Sequence, residues 1–291
     1  MATTTIQGGT VGSQIGRSLP RIEGRDKVSG RAEYTHNLSL PGMLHAKIFR
    51  STIAHGRIKS IDVSAAKKVP GVYRVVTIDD IKTVIPNPYY GPAFHDQPIL
   101  AHEKVRFVGE PVAVVLAFDP HVAEQAVQEI TAEYEELPAV YDEIEALDSK
   151  VYVHDELKPA GTFADLKHLK GAKETNVALD FKLRRGDVEK GFAEAAHVFE
   201  HTFRTQKVLH LAFEPFVSIG DAKRDSATIY TSSQGPSFVR TEIARLLGLP
   251  ENRVRIRVPY IGGGYGSKLY IKLEALVVAL SLLTRRPAPP A

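Results

Sequence analysis

Between Met43 and Tyr134 the apolar residues fall into short blocks whose spacing switches between two and about four. A spacing of two marks a strand with one covered face, and a spacing of three to four marks a helix. Met43–Arg50 and Gly71–Thr77 read as strands, with a short helix at Ser64–Lys68 between them. Lys104–Phe118 holds two apolar runs, VRFVG and PVAVVLAF, broken at Gly109-Glu110-Pro111. Asp119 can cap a helix with Pro120 in its first turn, and Val122, Ala126 and Ile130 follow one turn apart. Thr131–Tyr134 returns as a strand. These elements predict an α/β domain over residues 21–145, preceded by a flexible arm rich in Gly, Ser and Thr over residues 1–20.

Residues 146–175 contain Lys-Pro-Ala-Gly and Lys-Gly and no sustained periodicity, which predicts a linker. The block over residues 176–291 opens on Gly186-Asp187-Val188 and the helical stretch GFAEAA. Strands are expected at His197–Thr205, Val208–Ile219 and Thr228–Ser232. Gln234-Gly235-Pro236 starts a helix in which Val239, Ile243, Leu246 and Leu247 share a face, and Gly248 and Pro250 stop it. Val254–Val258 alternates Arg with apolar residues, as a strand with one wet face does. The cluster Gly262-Gly263-Gly264-Tyr265-Gly266-Ser267-Lys268 follows, and then an apolar helix over Tyr270–Leu283.

Composition narrows the function classes. With 43% hydrophobic and 24% charged residues the 291-residue chain is globular, and a net charge of +3 leaves no nucleic-acid or membrane footprint. There is no cysteine, so disulfides, thiol catalysis and cysteine-ligated iron–sulfur clusters are excluded within this sequence. The N-terminus has no apolar signal core and no run is long enough to span a membrane, which makes the cytoplasm the expected compartment.

The order strand, glycines, helix is what an anion-binding turn needs, because the helix points free N–H groups at its ligand. The phosphate-loop pattern fails, since Ser267 separates Gly266 from Lys268. The dinucleotide fingerprint fails too: counting from Gly262 its sixth place is Ser267, and counting from Gly264 it is Leu269. A tight packed turn, with no ligand, remains open on these residues alone.

Other motifs decide between them. Thr231-Ser232-Ser233-Gln234 with RTEIARLLGLPENRVRIRVPYIGGGYGSK closely resembles the signature of the molybdenum hydroxylases, the xanthine dehydrogenase, aldehyde oxidase and carbon monoxide dehydrogenase family. The resemblance is to the large molybdopterin-binding subunit and runs back through Arg25–Ala32, Phe49-Arg50-Ser51, Ala54-His55-Gly56, Val108–Ala113, Tyr134–Pro138 and His210 with Phe213-Glu214-Pro215. It implies a mixed α/β fold: a hammerhead domain followed by the first part of a molybdopterin-binding domain.

The resemblance also implies roles. Gln234 lies beside the molybdenum, where its amide donates to an anionic oxygen without adding charge. Gly263, Gly264, Tyr265 and Gly266 form the loop that approaches the metal's oxygen and the pterin, with the Tyr265 and Gly266 amides as donors and the other two glycines giving room. Two departures stand out: Tyr265 replaces the usual phenylalanine, and Ser267 replaces a glycine, which predicts a less open turn. Leu269 stands where purine-oxidising members carry a glutamate, so Tyr265 and Leu269 are expected to line a pocket for an aldehyde or a less polar heterocycle. His210 and Glu214 share a face if their segment is a strand; the resemblance makes them scaffold residues, and no metal ligand is assigned. Arg253, Arg255 and Arg257 are expected to face solvent or a partner.

The implied reaction hydroxylates an sp2 carbon with water as oxygen source, with iron–sulfur clusters and FAD on partner subunits. The general-base glutamate is expected outside this chain, because in the family it lies far downstream of the glycine loop. The remainder of the molybdopterin-binding subunit is then expected as a separate chain, or the sequence is truncated, and the chain by itself is expected to be inactive. A non-catalytic docking module of such a complex is the alternative.

Overall fold

The computed structural model describes residues 16–288, so the arm as far as residue 15 and the final residues 289–291 lie outside the described residues. Strands β1 (His45–Arg50), β2 (Gly56–Asp62), β3 (Val72–Val76), β4 (Lys104–Val105) and β5 (Pro111–Ala117), helix α1 (Pro120–Val127) and strand β6 (Thr131–Glu136) carry the first half. β5 pairs antiparallel with β1 on one side and β3 on the other. Its apolar run does not alternate because both faces are covered. Ala113, Val115 and Ala117 pack with Ala123, Ala126 and Val127 of α1, whereas Val114 and Leu116 enter a second core. β2 runs between β4 and β6 with one face wet, and its alternation is interrupted by a bulge between Ile58 and Ser60. Asp119 caps α1 as expected: its carboxylate accepts the N–H groups of His121 at 2.8 Å and Val122 at 3.3 Å.

The second half adds β7 (Ser218–Lys223), β8 (Ser226–Thr231), α2 (Pro236–Leu247), β9 (Val254–Arg257) and α3 (Glu274–Thr284). β7 and β8 form a hairpin, and β9 lies parallel to β8 after the crossover through α2. Gly248 closes α2 in the left-handed region at φ 64°, a conformation glycine adopts without penalty. The α3 helix lies so close on β7 that a Cβ at Gly220 would come 2.5 Å from the Val277 carbonyl oxygen. Leu276, Ala279 and Leu280 of α3 join Ile229 and Ile243 and also Leu44, Val114 and Leu116, so one core crosses between the halves.

Two expectations change. The last helix begins at Glu274 rather than Tyr270. The buried Glu274 carboxylate accepts Thr231 Oγ1 and the Lys272 N–H, both at 2.7 Å, and so holds the preceding residues in turns. The strands expected at His197–Thr205 and over most of Val208–Ile219 are not formed; regular pairing starts only at Ser218. A strand needs a ladder partner for its N–H and C=O groups, and among the described residues no strand pairs with residues 197–217, whose backbone ties are isolated ones at Glu214 and Val217. Between the halves the expected linker carries a short helix, Glu145–Asp148, and a two-residue ladder of Glu156–Leu157 with Ala172–Lys173.

Candidate functional site

Parallel pairing of β8 with β9 brings their C-terminal ends to one edge of the sheet, with Tyr230 opposite Arg257. In open sheets that edge is where ligands are held. From β8 the chain passes through Ser232 and Ser233 to Gln234 and into α2, and from β9 it passes through Pro259 and Tyr260 into the glycine turn. The topology therefore places Gln234 against the turn, although 28 or more residues separate them in sequence.

The contact is specific. The Gln234 backbone N–H donates to the Lys268 carbonyl at 2.8 Å, and the Gly266 N–H donates to Gln234 Oε1 at 3.0 Å. With its oxygen thus engaged, the exposed Gln234 side chain presents its NH2 group outward, and that group has no acceptor among the described residues. Gln234 does not cap α2, whose first turn has no side-chain cap.

Each glycine of the cluster has its own reason. A Cβ at Gly262 would fall 2.5 Å from Glu214 Cβ, and one at Gly264 would fall 2.4 Å from Gln234 Oε1. Gly263 and Gly266 hold φ near 98° and 94°, which L side chains rarely adopt. Tyr265 sits between them at φ 53°, a left-handed conformation that is strained for an aromatic residue and that is common at functional turns. Its ring is 69% exposed, and its N–H has no acceptor among the described residues. The Gly266 amide, one of the two expected donors, is occupied by Gln234; the Tyr265 amide and the Gln234 NH2 are among the donors of this edge that have no acceptor among the described residues. Ser267 tightens the turn as expected, its hydroxyl donating to the Gly264 carbonyl at 2.7 Å.

Lys268 is not available to a phosphate. Its ammonium is buried, with the side chain 1% exposed, and it is paired with Glu214 Oε2 at 2.9 Å. Leu269 is half-buried, with one of its methyl groups lying near Gly235. His210 and Glu214 do not share a face: their segment is not a strand, Leu211 between them takes φ 45°, His210 is exposed and Glu214 is buried. Among the described residues no three His, Asp or Glu side chains are grouped to hold a metal ion. Arg255 and Arg257 are exposed, Arg257 lying over the Tyr230 ring at 5.9 Å. Sequence reading missed the Glu214–Lys268 pair, because the two lie 54 positions apart with no pattern that links them.

A bare glycine turn thus faces a side-chain amide at the C-terminal edge of parallel strands. Comparison with known proteins gives the family. Residues 29–138 match the family model for the aldehyde oxidase and xanthine dehydrogenase a/b hammerhead domain, and residues 169–289 match that for the molybdopterin cofactor-binding domain. The chain is 32% identical over 274 residues to the nicotinate dehydrogenase large molybdopterin subunit of Eubacterium barkeri, covering 94% of this chain and 60% of that protein. It is 36% identical over 268 residues to the carbon monoxide dehydrogenase large chain of Hydrogenophaga pseudoflava, covering 89% of this chain and 32% of that one. The crystal structure of quinoline 2-oxidoreductase from Pseudomonas putida 86 superposes with a TM-score of 0.79 at 35% identity, covering 95% of this chain and 34% of its own.

The chain belongs to the molybdenum hydroxylase family of xanthine dehydrogenase, aldehyde oxidase and carbon monoxide dehydrogenase, and corresponds to part of its large molybdopterin-binding subunit. It spans 60% of the nicotinate dehydrogenase subunit and about a third of the other two chains.

Proposed function

We propose that this chain forms the hammerhead unit, over residues 21–145, and the first part of the cofactor-binding unit, over residues 176–291, of an oxidoreductase that hydroxylates an sp2 carbon with water as oxygen source. The observation that carries this reading is the Gly266 N–H bond to Gln234 Oε1, which joins the two motifs into one edge and fixes the orientation of the amide. The residues fit the molybdenum cofactor: the Gln234 NH2 and the Tyr265 N–H would donate to an anionic oxygen of it, and Gly263, Gly264 and Gly266 would keep side chains out of its way. When bound, the cofactor supplies the two-electron redox chemistry. Gln234 holds an oxygen without changing the local charge, and the Tyr265 ring and Leu269 line the approach of the substrate.

An aldehyde or an aromatic N-heterocycle is the substrate class this edge suits, because Leu269 offers an apolar contact where a purine site offers a carboxylate. Relatives named for nicotinate and quinoline support that class. The turn lies at the surface, with Tyr265 69% exposed, and the remainder of the molybdopterin-binding subunit closes over it and brings the general-base glutamate. Iron–sulfur clusters, for which this sequence has no cysteine ligand, and FAD are assigned to partner subunits in this reading. The assembly works in the cytoplasm. Metal analysis tests the reading: the assembled complex should contain about one molybdenum per chain, and this chain alone should contain none. A complex without molybdenum overturns it.

A further inference from the structure

We propose that the buried Glu214–Lys268 ion pair is the clamp that sets the shape of the glycine turn, with Glu214 a positioning residue for the amides at Tyr265 and Gly266. The consequence for a cofactor rests on the function proposed above; the clamp itself does not.

One carboxylate oxygen holds both ends of the turn. Glu214 Oε2 accepts the Gly262 N–H at 2.8 Å where the turn begins and Lys268 Nζ at 2.9 Å where it ends. The Glu214 backbone adds a third tie, its N–H donating to the Gly262 carbonyl at 3.1 Å. From Lys268 the network continues to the other motif, because the Lys268 carbonyl accepts the Gln234 N–H at 2.8 Å and Ser233 Oγ at 3.3 Å. Gly262, Glu214, Lys268 and Gln234 are thus bonded in series, and the donor edge hangs between them.

The turn needs such an anchor. Gly263, Tyr265 and Gly266 all hold positive φ, and a non-glycine residue keeps that conformation only where its surroundings over-determine it. The turn itself is exposed at Tyr265 and Gly266 and cannot be held by packing there. Both members of the pair are instead nearly inaccessible, the side chains being 1% exposed for Lys268 and 6% for Glu214. In a water-excluded setting a bond to a charged group is stronger than a neutral one and is not exchanged with solvent. The fit is close enough that Gly262 tolerates no Cβ against Glu214. Glu214 Oε1 is buried with no partner, so everything that holds this carboxylate runs through the oxygen that faces the turn.

A purely structural ion pair predicts something different from a clamp, and paired substitutions separate the two. Replacing both members with apolar residues of similar volume preserves folding in many buried pairs. In the full chain, E214M/K268M should therefore fold, while the amides of Gly262, Gly266 and Ser267 exchange hydrogen about 10-fold faster than in the wild type and those of α3 remain unchanged. E214Q/K268M keeps an acceptor for the Gly262 N–H and should return exchange to within about threefold of wild type. Unchanged turn exchange in E214M/K268M, equal loss of protection in α3, or an E214Q/K268M turn as fast as that of E214M/K268M would each overturn the clamp. None of these readings involves a cofactor. In the assembled complex, E214M/K268M should shift the molybdenum electron paramagnetic resonance signal relative to wild type; an unshifted signal overturns the positioning role. A wild-type complex without molybdenum would instead count against the proposed function and leave the exchange result standing.

Discussion

The apolar run that forms β5 and the stretch from Val198 to Phe203, expected to be a strand, have opposite fates. In β5 six of seven residues are buried, paired on both sides and covered on both faces. In the other stretch Val198 is 58%, Phe199 79% and Phe203 86% exposed, and no ladder forms. The difference is not local propensity, since Val favours strands in β5 and Val, Phe and Thr do so in the other stretch. It is the supply of neighbours. β5 finds β1, β3 and α1 within 75 residues of chain, whereas residues 197–217 have no strand beside them among the described residues. An extended segment with bare apolar side chains and open backbone groups is a template for pairing with another polypeptide.

Substitutions sharpen that contrast. The largest effect belongs to Arg106, whose guanidinium is 2.8 Å from Glu110 Oε1 in a pair that is 10% and 5% exposed. Burial pushes the Glu110 carboxyl above the usual carboxylate range, and Arg106 pulls it back down. R106M should cost about 4 kcal/mol at neutral pH, because it leaves a buried carboxylate without its counter-charge. The sign with pH follows. A carboxyl raised in the folded state loses stability as pH rises from the unfolded value through the folded one, and removing Arg106 raises it further. The gap between R106M and wild type should therefore shrink on acidification, as Glu110 takes up a proton. Denaturant unfolding at neutral and acid pH measures it, and a gap that widens in acid refutes the assignment.

Leu116 comes next. It is fully buried at the junction of β5 with the second half, in the same core as Ile229 and Leu280. L116A should cost about 3 kcal/mol from lost transfer energy and the cavity left behind. The unfolding transition should stay single, because this core belongs to both halves. Two separated transitions would show that the halves hold together less firmly than the packing states.

These effects bear on what a single sequence makes legible. Asp119-Pro120 named the start of α1 because a cap and its N–H groups are neighbours in sequence. Val239, Ile243 and Leu246 named the buried face of α2 for the same reason. Gln234 and the glycine turn were legible only through resemblance, since the parallel pairing of β8 with β9 is what brings them together. The Glu214–Lys268 pair was not legible at all. Its two members lie on segments with no shared period, and the pattern around Glu214 pointed to a strand that does not form. His210 and Glu214 failed to share a face for that reason.

The smallest effect is the one that most directly tests the contrast between the two regions. Phe203 is 86% exposed, so its ring contributes little to the folded state of this chain. F203S should leave the unfolding free energy of the chain unchanged to within about 0.5 kcal/mol, as surface substitutions do. If residues 197–205 instead pack against something within the chain in solution, the same change would cost about 2 kcal/mol or more, approaching L116A. With the remainder of the molybdopterin-binding subunit present, the expectation reverses. Strand pairing would bury the ring, and F203S should weaken assembly about 10-fold, since about 1.4 kcal/mol of lost burial is a factor of ten in affinity. Comparing the two measurements isolates the partner's contribution, because the substitution is the same and only the supply of neighbours differs. An F203S chain that assembles as tightly as wild type would mean that the bare strand faces solvent in the complex too, and that the second half is held together through some other surface.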